Sequence, residues 1–327
     1  MVPPIRPRYT REGFCVSKRL LVTGGAGFIG SNLVDYVNAK SPDWSIRVMD
    51  DFSSGLETNL SNSKAEIVRG SILDLKELEK ASSDVDAVVH LAAIGSVPRS
   101  VGAPRPTHDA NITGTLNVLE AARSNDIQHV IVASSSSVYG SNPSLPRNEF
   151  DWTRPLSPYA VSKLATEAYA NAFSFSYGMK TLAFRFFNVY GPRQRADHPY
   201  AAVIPKFIAA ARAGERLQVF GDGEQSRDFT YVDSICQAIH EACVSQLHSE
   251  HPVNLAFGSK TTLNELVKLL EDNLGRKLEV DYHDPRAGDV RASQADTTLL
   301  SSLFYTAAPI DLSVGLKATV QWFVDSQ

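Results

Sequence analysis

The chain has 327 residues, 43% of them hydrophobic, which suffices for one large α/β domain or for two domains that share a core. Its 32 basic and 36 acidic residues give a net charge of −4 and are mixed along the chain. The chain therefore has no concentration of basic residues that would predict binding to nucleic acid or to anionic lipid. We expect a small-molecule partner.

Residues 1–17 contain Pro and Arg but lack the apolar run of a signal peptide, so we expect an N-terminal extension that packs on the domain. No later stretch approaches ~18 apolar residues without a charge. This predicts a cytoplasmic protein that does not span a membrane. Cys15, Cys236 and Cys243 are too few and too scattered for a disulfide framework or a metal cluster, so reduced thiols and no bound metal are expected.

Short apolar or β-branched runs alternate with helical patterns along most of the chain. They are RLLVT at 19, IRVMD at 46, AEIVR at 65, VDAVVHL at 85, QHVIVAS at 128, KTLAFRF at 180 and PVNLAF at 252. Continuous apolar strands that alternate with helices are typical of a parallel sheet covered on both faces. After about residue 187, loops rich in Gly, Pro and charge interrupt shorter elements, which predicts a smaller region over the sheet.

A glycine-rich turn follows the first strand directly. In TGGAGFIGSNLV, Gly24, Gly27 and Gly30 open a helix. Glycines let the backbone approach a pyrophosphate, while free amides and the helix dipole favour its negative charge. The next strand ends in Asp50, whose carboxylate can accept hydrogen bonds from ribose hydroxyls. Asp50 would repel a 2′-phosphate and no arginine stands immediately beside it in the sequence, so NAD is favoured over NADP.

Tyr159 and Lys163 in SPYAVSK lie four residues apart, on one face of a helix predicted to start near Ser157. A tyrosine titrates near ~10, so action as a base at neutral pH needs about 4 kcal/mol of stabilisation of the phenolate. An ammonium about 5 Å away supplies about 3 kcal/mol at an effective dielectric of ~20. An oxidised nicotinamide ring would supply the rest. The pair follows the serines of ASSSSVYG, which makes an otherwise weak motif informative.

These segments, with HLAA, RFFNVYGPRQ and GDGEQSRDFTYV, resemble the extended short-chain dehydrogenases/reductases across residues 19 to about 300. The resemblance is to their nucleotide-sugar epimerase/dehydratase group, and within it to UDP-N-acetylglucosamine 4-epimerases of the UDP-galactose 4-epimerase type. It implies a Rossmann doubly wound parallel sheet with a smaller α/β C-terminal substrate domain, bound NAD and a UDP-sugar substrate. The implied NAD-binding domain spans residues 18–187 plus about 228–256, and the nucleotide-sugar-binding domain spans 188–227 and 257–327.

The resemblance also implies a catalytic triad. Ser135 would hydrogen-bond the sugar O4, Tyr159 would take the O4 proton, and Lys163 would also hold the nicotinamide ribose. Asn111 would steady the lysine region and the cofactor, whereas His90 is interpreted as a hydrogen-bonded strand-end residue. The further cofactor contacts implied are Gly24, Gly27, Phe28, Ile29, Gly30, Asp50, Ser71, Ile72, Leu91, Ala92 and Ala93. Ser71 stands where relatives usually carry an aspartate, and a serine can still accept a bond from the adenine amine.

For the substrate, the resemblance implies contacts from the later part of the chain. They are Arg227 and Arg286 at the diphosphate, Asn188 on the diphosphate side, Asp289 at the uridine ribose, and Phe220 with Val203 at the uracil. Guanidinium contacts at about 1.5 to 3 kcal/mol each would anchor the nucleotide while the hexose turns. Ser293 faces the sugar C2 substituent in relatives, and a serine leaves room there for an N-acetyl group. Arg99 in GSVPRS also resembles the acetamido-sugar epimerases.

The serine run separates two reactions. Ser136 and Ser137 stand where the 4,6-dehydratases of the family carry an Asp-Glu pair, and both are expected to line the substrate pocket. Serine hydroxyls titrate far too high to remove the C5 proton or to protonate the departing hydroxyl. The residues therefore favour 4-epimerisation of UDP-GlcNAc/UDP-GalNAc, and also of UDP-Glc/UDP-Gal, through a 4-keto intermediate.

Other functions stay open at this point. A UDP-glucose or UDP-glucuronate 4-epimerase and a 5,6-type dehydratase that uses other groups share the fold. A non-catalytic NAD-binding protein shares it too, although such a protein has no use for a tuned phenol. Helices at about 106–124 and 157–177 form dimer bundles in relatives, which predicts a homodimer.

Overall fold

The computed structural model describes residues 18–197, 200–285 and 290–325. The predicted extension 1–17 and the predicted substrate contacts Arg286 and Asp289 lie outside the described residues. The strands are β1 (Arg19–Thr23), β2 (Ser45–Asp50), β3 (Glu66–Arg69), β4 (Ala87–His90), β5 (His129–Ser135), β6 (Lys180–Phe186), β7 (Val189–Tyr190), β8 (Leu217–Phe220), β9 (Ser226–Arg227), β10 (Thr230–Tyr231), β11 (Val253–Leu255), β12 (Thr261–Thr262) and β13 (Val280–His283).

Helices cover the sheet and build most of the smaller region. They are α1 (Phe28–Lys40), α2 (Leu75–Ala81), α3 (Val97–Gly102), α4 (Pro104–His108), α5 (Gly114–Ser124), α6 (Pro158–Tyr177), α7 (Val203–Ala213), α8 (Val232–Ser245), α9 (Leu263–Leu274), α10 (Thr298–Leu303) and α11 (Leu312–Asp325). Short 3₁₀ turns span Glu57–Leu60 and Ser136–Tyr139, and a π turn, Asp109–Thr113, joins α4 to α5.

The central sheet has the strand order β11-β6-β5-β4-β1-β2-β3, and every pairing in it is parallel. Each run that the sequence predicts as a strand belongs to this sheet, so the predicted doubly wound architecture is confirmed. The chain order reverses between β1 and β4. In open sheets of this kind, ligands bind beyond the carboxyl ends of the strands at such a reversal.

Both faces of the sheet are buried because its strands are apolar on both sides. In β1, Leu20 and Val22 point into a cluster with α1 and α8, while Leu21 points into a second cluster with α2, α5 and α6. The exposed fraction of each of these three side chains is 1% or less. Packing of helices on both faces leaves the carboxyl edge of the sheet as the open side.

A polar layer lies directly below that edge. The Nδ1 atom of His90 lies 2.8 Å from Oγ1 of Thr23, and its Nε2 atom lies 3.1 Å from Oγ1 of Thr115. Burial, with the charge of Lys163 adding to it, lowers the pKa of His90 to about 3. The imidazole is therefore neutral and hydrogen-bonded on both sides, which confirms its interpretation as a strand-end residue.

The smaller region follows β6. Here β13 pairs with β8 in parallel, and the two-residue strands pair as β7 with β10 and β9 with β12. Isolated bridges join Ser226 to Ala292 and Arg147 to Ala295. These bridges bring the segment that carries Ser293 towards the sheet edge. None of the helices in the three described ranges is long and apolar enough to cross a membrane.

Candidate active site

The glycine turn between β1 and α1 can hold a pyrophosphate. Gly24 has φ +72°, and a Cβ atom there would lie 2.6 Å from the backbone nitrogen of Ala92. A Cβ atom on Gly30 would collide with the carbonyl oxygen of Gly24. Helix α1 starts after Gly27 with no side-chain cap and no acidic residue in its first turn, which includes Phe28 and Ile29. The first-turn amides and the helix dipole are thus available to an anion.

Asp50 ends β2 beside this turn and is 7% exposed. Its Oδ2 accepts a hydrogen bond from the Ala26 nitrogen at 2.9 Å, and its Oδ1 accepts one from the Phe52 nitrogen at 2.8 Å. Burial raises the pKa of this carboxyl, while the two backbone bonds oppose that rise. Each carboxylate oxygen keeps a further lone pair, so ribose hydroxyls can still bind. The residues of the turn and Asp50 therefore fit a dinucleotide.

No arginine adjoins Asp50 along the sequence, but one lies opposite it in the sheet. The register of β2 and β3 places Arg69 opposite Asp50, since the neighbouring strand brings in a residue that is distant in sequence. The Arg69 guanidinium lies 4.2 Å from the ring centroid of Phe52, and its Nη2 donates to Oε2 of Glu57 at 2.9 Å. Arg69 is thus paired with Glu57, although its charge also acts on Asp50, and it is the Asp50 carboxylate itself that opposes a 2′-phosphate.

The other predicted cofactor contacts lie after β3 and β4. The hydroxyl oxygen of Ser71 accepts a bond from the Leu73 nitrogen at 3.3 Å. Ile72 is 7% exposed and its side chain packs on Gly114, so that side chain belongs to the core. The three residues after β4 are partly exposed at the sheet edge: Leu91, Ala92 and Ala93.

Ser135, Tyr159 and Lys163 meet where β5 ends beside the start of α6. The Ser157 side chain caps α6 by accepting a bond from the Ala160 nitrogen at 3.1 Å, which fixes the first turn of the helix. The Ser135 hydroxyl lies near enough to the Tyr159 phenol to favour its ionised form. The Lys163 Nζ atom lies 6.0 Å from the centroid of the Tyr159 ring. The structure therefore brings the three predicted residues together.

The phenol of Tyr159 needs more than the charge of Lys163 in order to ionise. Burial raises the pKa of this phenol, and the hydrogen bond from Ser135 only partly opposes the rise. The Lys163 ammonium donates to the carbonyl oxygen of Ala133 at 2.8 Å instead of to the phenol. Burial also lowers the pKa of Lys163 to about 8, which weakens its charge at alkaline pH. Further positive charge is needed to ionise Tyr159.

Asn111 lies in the π turn and is 1% exposed. Its Nδ2 donates to Oγ of Ser162 at 2.9 Å and to the Ile94 oxygen at 3.1 Å, and its Oδ1 accepts from the Ile94 nitrogen at 2.8 Å. Ser162 precedes Lys163 directly. The amide therefore joins the loop after β4 to the helix that carries the triad lysine, and π turns of this kind are frequent at functional sites.

A cavity of about 1140 Å³ lies in the smaller region, lined by residues between Asn188 and Asp281. Four predicted substrate residues are among those that line it: Asn188, Val203, Phe220 and Arg227. The Ser293 nitrogen donates to the Ser226 oxygen at 3.1 Å, which puts Ser293 beside Arg227. Ser136 follows Ser135 directly in the 3₁₀ turn.

Arg99 is exposed on α3, outside the lining of this cavity. Its neighbour Ser100 accepts a hydrogen bond from the Tyr159 nitrogen at 3.0 Å, so α3 adjoins the start of α6. Arg99 thus lies near the triad, and a sugar contact by its side chain stays a prediction.

Sequence reasoning missed two buried acids. Asp228 is 0% exposed and accepts backbone bonds from Gly258, Ser259 and Ala295, which ties the loop after β11 to the segment that carries Ser293. Glu167 pairs with Arg185 behind the triad at 2.8 Å. Both could have been noticed in sequence, because Asp228 adjoins Arg227 and Glu167 lies four residues after Lys163.

The described ranges contain no group of three His, Cys, Asp or Glu side chains that could hold a metal ion. The glycine turn, Asp50 at the end of β2 and the reversal between β1 and β4 define a dinucleotide-binding protein of the doubly wound class. Residues 20–256 match the model of the NAD dependent epimerase/dehydratase family. The chain belongs to this NAD-dependent family.

Several relatives match nearly the whole chain. UDP-N-acetylglucosamine 4-epimerase from Methanobrevibacter ruminantium M1, solved with UDP-N-acetylmuramic acid, is 40% identical with a TM-score of 0.90, over 95% of this chain and 99% of that one. UDP-glucose 4-epimerase of Mycolicibacterium smegmatis is 36% identical over 93% of this chain and 98% of its own. TunA, an NAD-dependent NDP-hexosamine 5,6-dehydratase, is 31% identical with a TM-score of 0.85, over 94% and 98%.

Replacing Asp50 by Asn should weaken NAD binding. The amide nitrogen would face one of the two backbone N–H groups that now orient the carboxylate, and one ribose acceptor would be lost. Hydrogen bonds to a charged group are worth about 1.5–3 kcal/mol, so we expect a loss of roughly 10- to 150-fold in affinity. Calorimetry on cofactor-stripped protein measures it.

Asp51→Asn is the matched control, since Asp51 is exposed and its carboxylate accepts only the Ser53 nitrogen among the bonds described for it. It should bind NAD like the wild type. Equal affinities for the Asp50 and Asp51 variants would show that Asp50 does not hold the cofactor.

Proposed function

We propose that the protein is an NAD-dependent 4-epimerase of UDP-hexoses that interconverts UDP-GlcNAc and UDP-GalNAc, and also accepts UDP-Glc and UDP-Gal. The observation that carries the proposal is the meeting of Ser135, Tyr159 and Lys163 at the sheet edge, with serines at the next two positions. The similarity to UDP-sugar 4-epimerases supports it.

When bound, NAD would be held by the glycine turn and Asp50 and would supply the acceptor and donor of the C4 hydride. The protein moves the O4 proton. Tyr159 takes this proton in the oxidation and gives it back in the reduction, while the Ser135 hydroxyl orients O4. The Lys163 ammonium stabilises the ionised phenol, and the positive charge of oxidised NAD, when bound, would add to this stabilisation.

Elimination of water would need an acid and a base near C5 and C6. Ser136 and Ser137 offer hydroxyls only. Glu167 is the carboxylate behind this strand end, but its two oxygens accept bonds from Nε and Nη2 of Arg185 at 2.9 and 2.8 Å. Both oxygens of this carboxylate are thus already bound by the guanidinium. The arrangement therefore favours epimerisation.

The nucleotide is held by the cavity while the hexose turns. We infer that Arg227 and Asn188 contact the diphosphate, and that Phe220 and Val203 enclose the uracil. Arg286 and Asp289 remain predicted contacts on the same ligand. An anchored nucleotide with a loosely held sugar allows both faces of a 4-keto intermediate to meet the hydride. The predicted division into an NAD-binding and a nucleotide-sugar-binding domain is part of this proposal.

The proposal predicts that purified protein converts UDP-GlcNAc to UDP-GalNAc and, more weakly, UDP-Glc to UDP-Gal. NMR of parallel reaction mixtures measures the C4 configuration, and mass spectrometry measures whether water is lost. Tyr159→Phe should lower kcat by at least about 100-fold, since general base catalysis contributes about 10² to 10⁴. Unchanged C4 configuration with loss of water would favour the second candidate, a 5,6-dehydratase like TunA.

Ser293 is proposed to leave room for the acetamido group. Ser293→Tyr should abolish conversion of UDP-GlcNAc and leave conversion of UDP-Glc within a few-fold, since the larger ring would fill the space at C2. Ser293→Ala keeps the space and is the matched control. Equal conversion of UDP-GlcNAc by the tyrosine and alanine variants would mean that residue 293 does not face C2.

We also propose a homodimer built on α6. Its outer face carries Val161, Ala168, Ala172 and Phe175, of which Phe175 is 94% exposed. Small and apolar side chains along one helix face permit close packing of a second helix. Ala168→Glu should shift the mass in light scattering from dimer to monomer, whereas Ser301→Glu on α10 should not. A wild-type monomer at micromolar concentration would refute the dimer.

A further inference from the structure

A buried ion pair lies directly behind the end of β5. Glu167 of α6 and Arg185 of β6 are 7% and 4% exposed, and two parallel hydrogen bonds join them at 2.8 and 2.9 Å. The Arg185 guanidinium also lies 4.7 Å from the ring centroid of Tyr139. Bidentate pairing of this kind fixes the orientation of both side chains. The pair is therefore a rigid block between α6 and β6.

Ser134 joins this block to the catalytic strand end. Its hydroxyl donates to Oε1 of Glu167 at 2.5 Å, and its Oγ atom lies 3.4 Å from the carbonyl oxygen of Lys163. Ser134 is 2% exposed, so water does not replace these contacts. The serine that precedes Ser135 therefore has a partner of its own, distinct from the substrate pocket.

Three consecutive residues of β5 thus contact three residues of α6 that are spaced four apart. The Ala133 carbonyl receives the Lys163 ammonium, Ser134 binds Glu167, and Ser135 meets Tyr159. Residues four apart lie on one face of a helix. Because the three contacts join one strand to one helix face, displacement of one pair of residues would alter the distances in the other two pairs.

We propose that Ser134, Glu167 and Arg185 form a positioning clamp that sets the distances of Ser135 and Lys163 from Tyr159. The proposal rests on the catalytic roles proposed above for the last three residues. None of the clamp residues touches substrate in this account. They act through the strand end and through the helix.

Stability does not account for the arrangement by itself. Replacement of a buried ion pair by apolar groups of similar volume is often neutral or stabilising. The charge-assisted bond from Ser134 to Glu167 also fixes the register of β5 against α6. Such a network holds the triad in a precise geometry. Small displacements at a reacting centre lower the reaction rate strongly.

Ser134→Ala tests the clamp with the holoenzyme. We expect kcat for the UDP-sugar to fall about 10-fold or more, as loss of one charge-assisted bond implies, while KM and the bound NAD stay within about twofold. Ser134→Thr keeps the hydroxyl and should restore kcat. Ser234→Ala is the matched control, because Ser234 is also buried and donates to the Ala308 oxygen from α8. It should lower Tm similarly and leave kcat unchanged.

The pH dependence separates positioning from general loosening. If Lys163 is displaced, the phenolate of Tyr159 loses stabilisation, so the ascending limb of kcat against pH should move to higher pH in Ser134→Ala. If Ser134→Ala lowers kcat, raises KM and loses bound NAD together, and the ascending limb of kcat against pH stays where it is in the wild type, the clamp is overturned.

A measurement that needs no turnover distinguishes the clamp from the proposed function. The phenolate absorbance of Tyr159, taken as the difference from a Tyr159→Phe background, should titrate at higher pH when residue 134 is Ala. An unchanged titration overturns the clamp whatever reaction the enzyme performs, and inactive wild type with a shifted titration refutes only the proposed function. If Ser134→Ala does not fold, Arg185→Lys keeps the charge but not the bidentate geometry, and the same shift is expected.

Discussion

The burial of the Lys163 ammonium is the constraint on which the site depends. A charge without water needs a partner in fixed geometry, and the Ala133 carbonyl provides one at 2.8 Å. Burial nevertheless lowers the pKa of this lysine to about 8. The surrounding structure therefore holds the strand end and the helix together: Asn111 binds Ser162 on one side, and the Glu167–Arg185 pair lies on the other.

Local patterns in the sequence predicted much of this fold. Continuous apolar runs are strands because both faces of a parallel sheet are buried, and each such run is a strand of the sheet. The glycine turn was predictable because only glycine fits at Gly24 and Gly30. The start of α6 was predictable because Ser157 before Pro158 is a typical helix cap.

Contacts between distant segments were not predictable in this way. Arg69 lies opposite Asp50 in the register of two strands, and neither residue carries a sign of it in the sequence. The pKa of Tyr159 depends on burial, which raises it more than the contact with Ser135 lowers it. No pattern in the sequence assigned Ser134 a partner, and only the fold brings the Glu167–Arg185 pair to it.

The central claim is that the site oxidises and re-reduces the sugar at C4 without elimination. It is tested most directly with UDP-GlcNAc that carries deuterium at C4, incubated with the holoenzyme in ordinary water. The account predicts that the C4 epimer forms with its deuterium retained at C4 and with no change in mass, because the same hydrogen leaves and returns. Loss of the label to solvent, or a product lighter by one water, would contradict it.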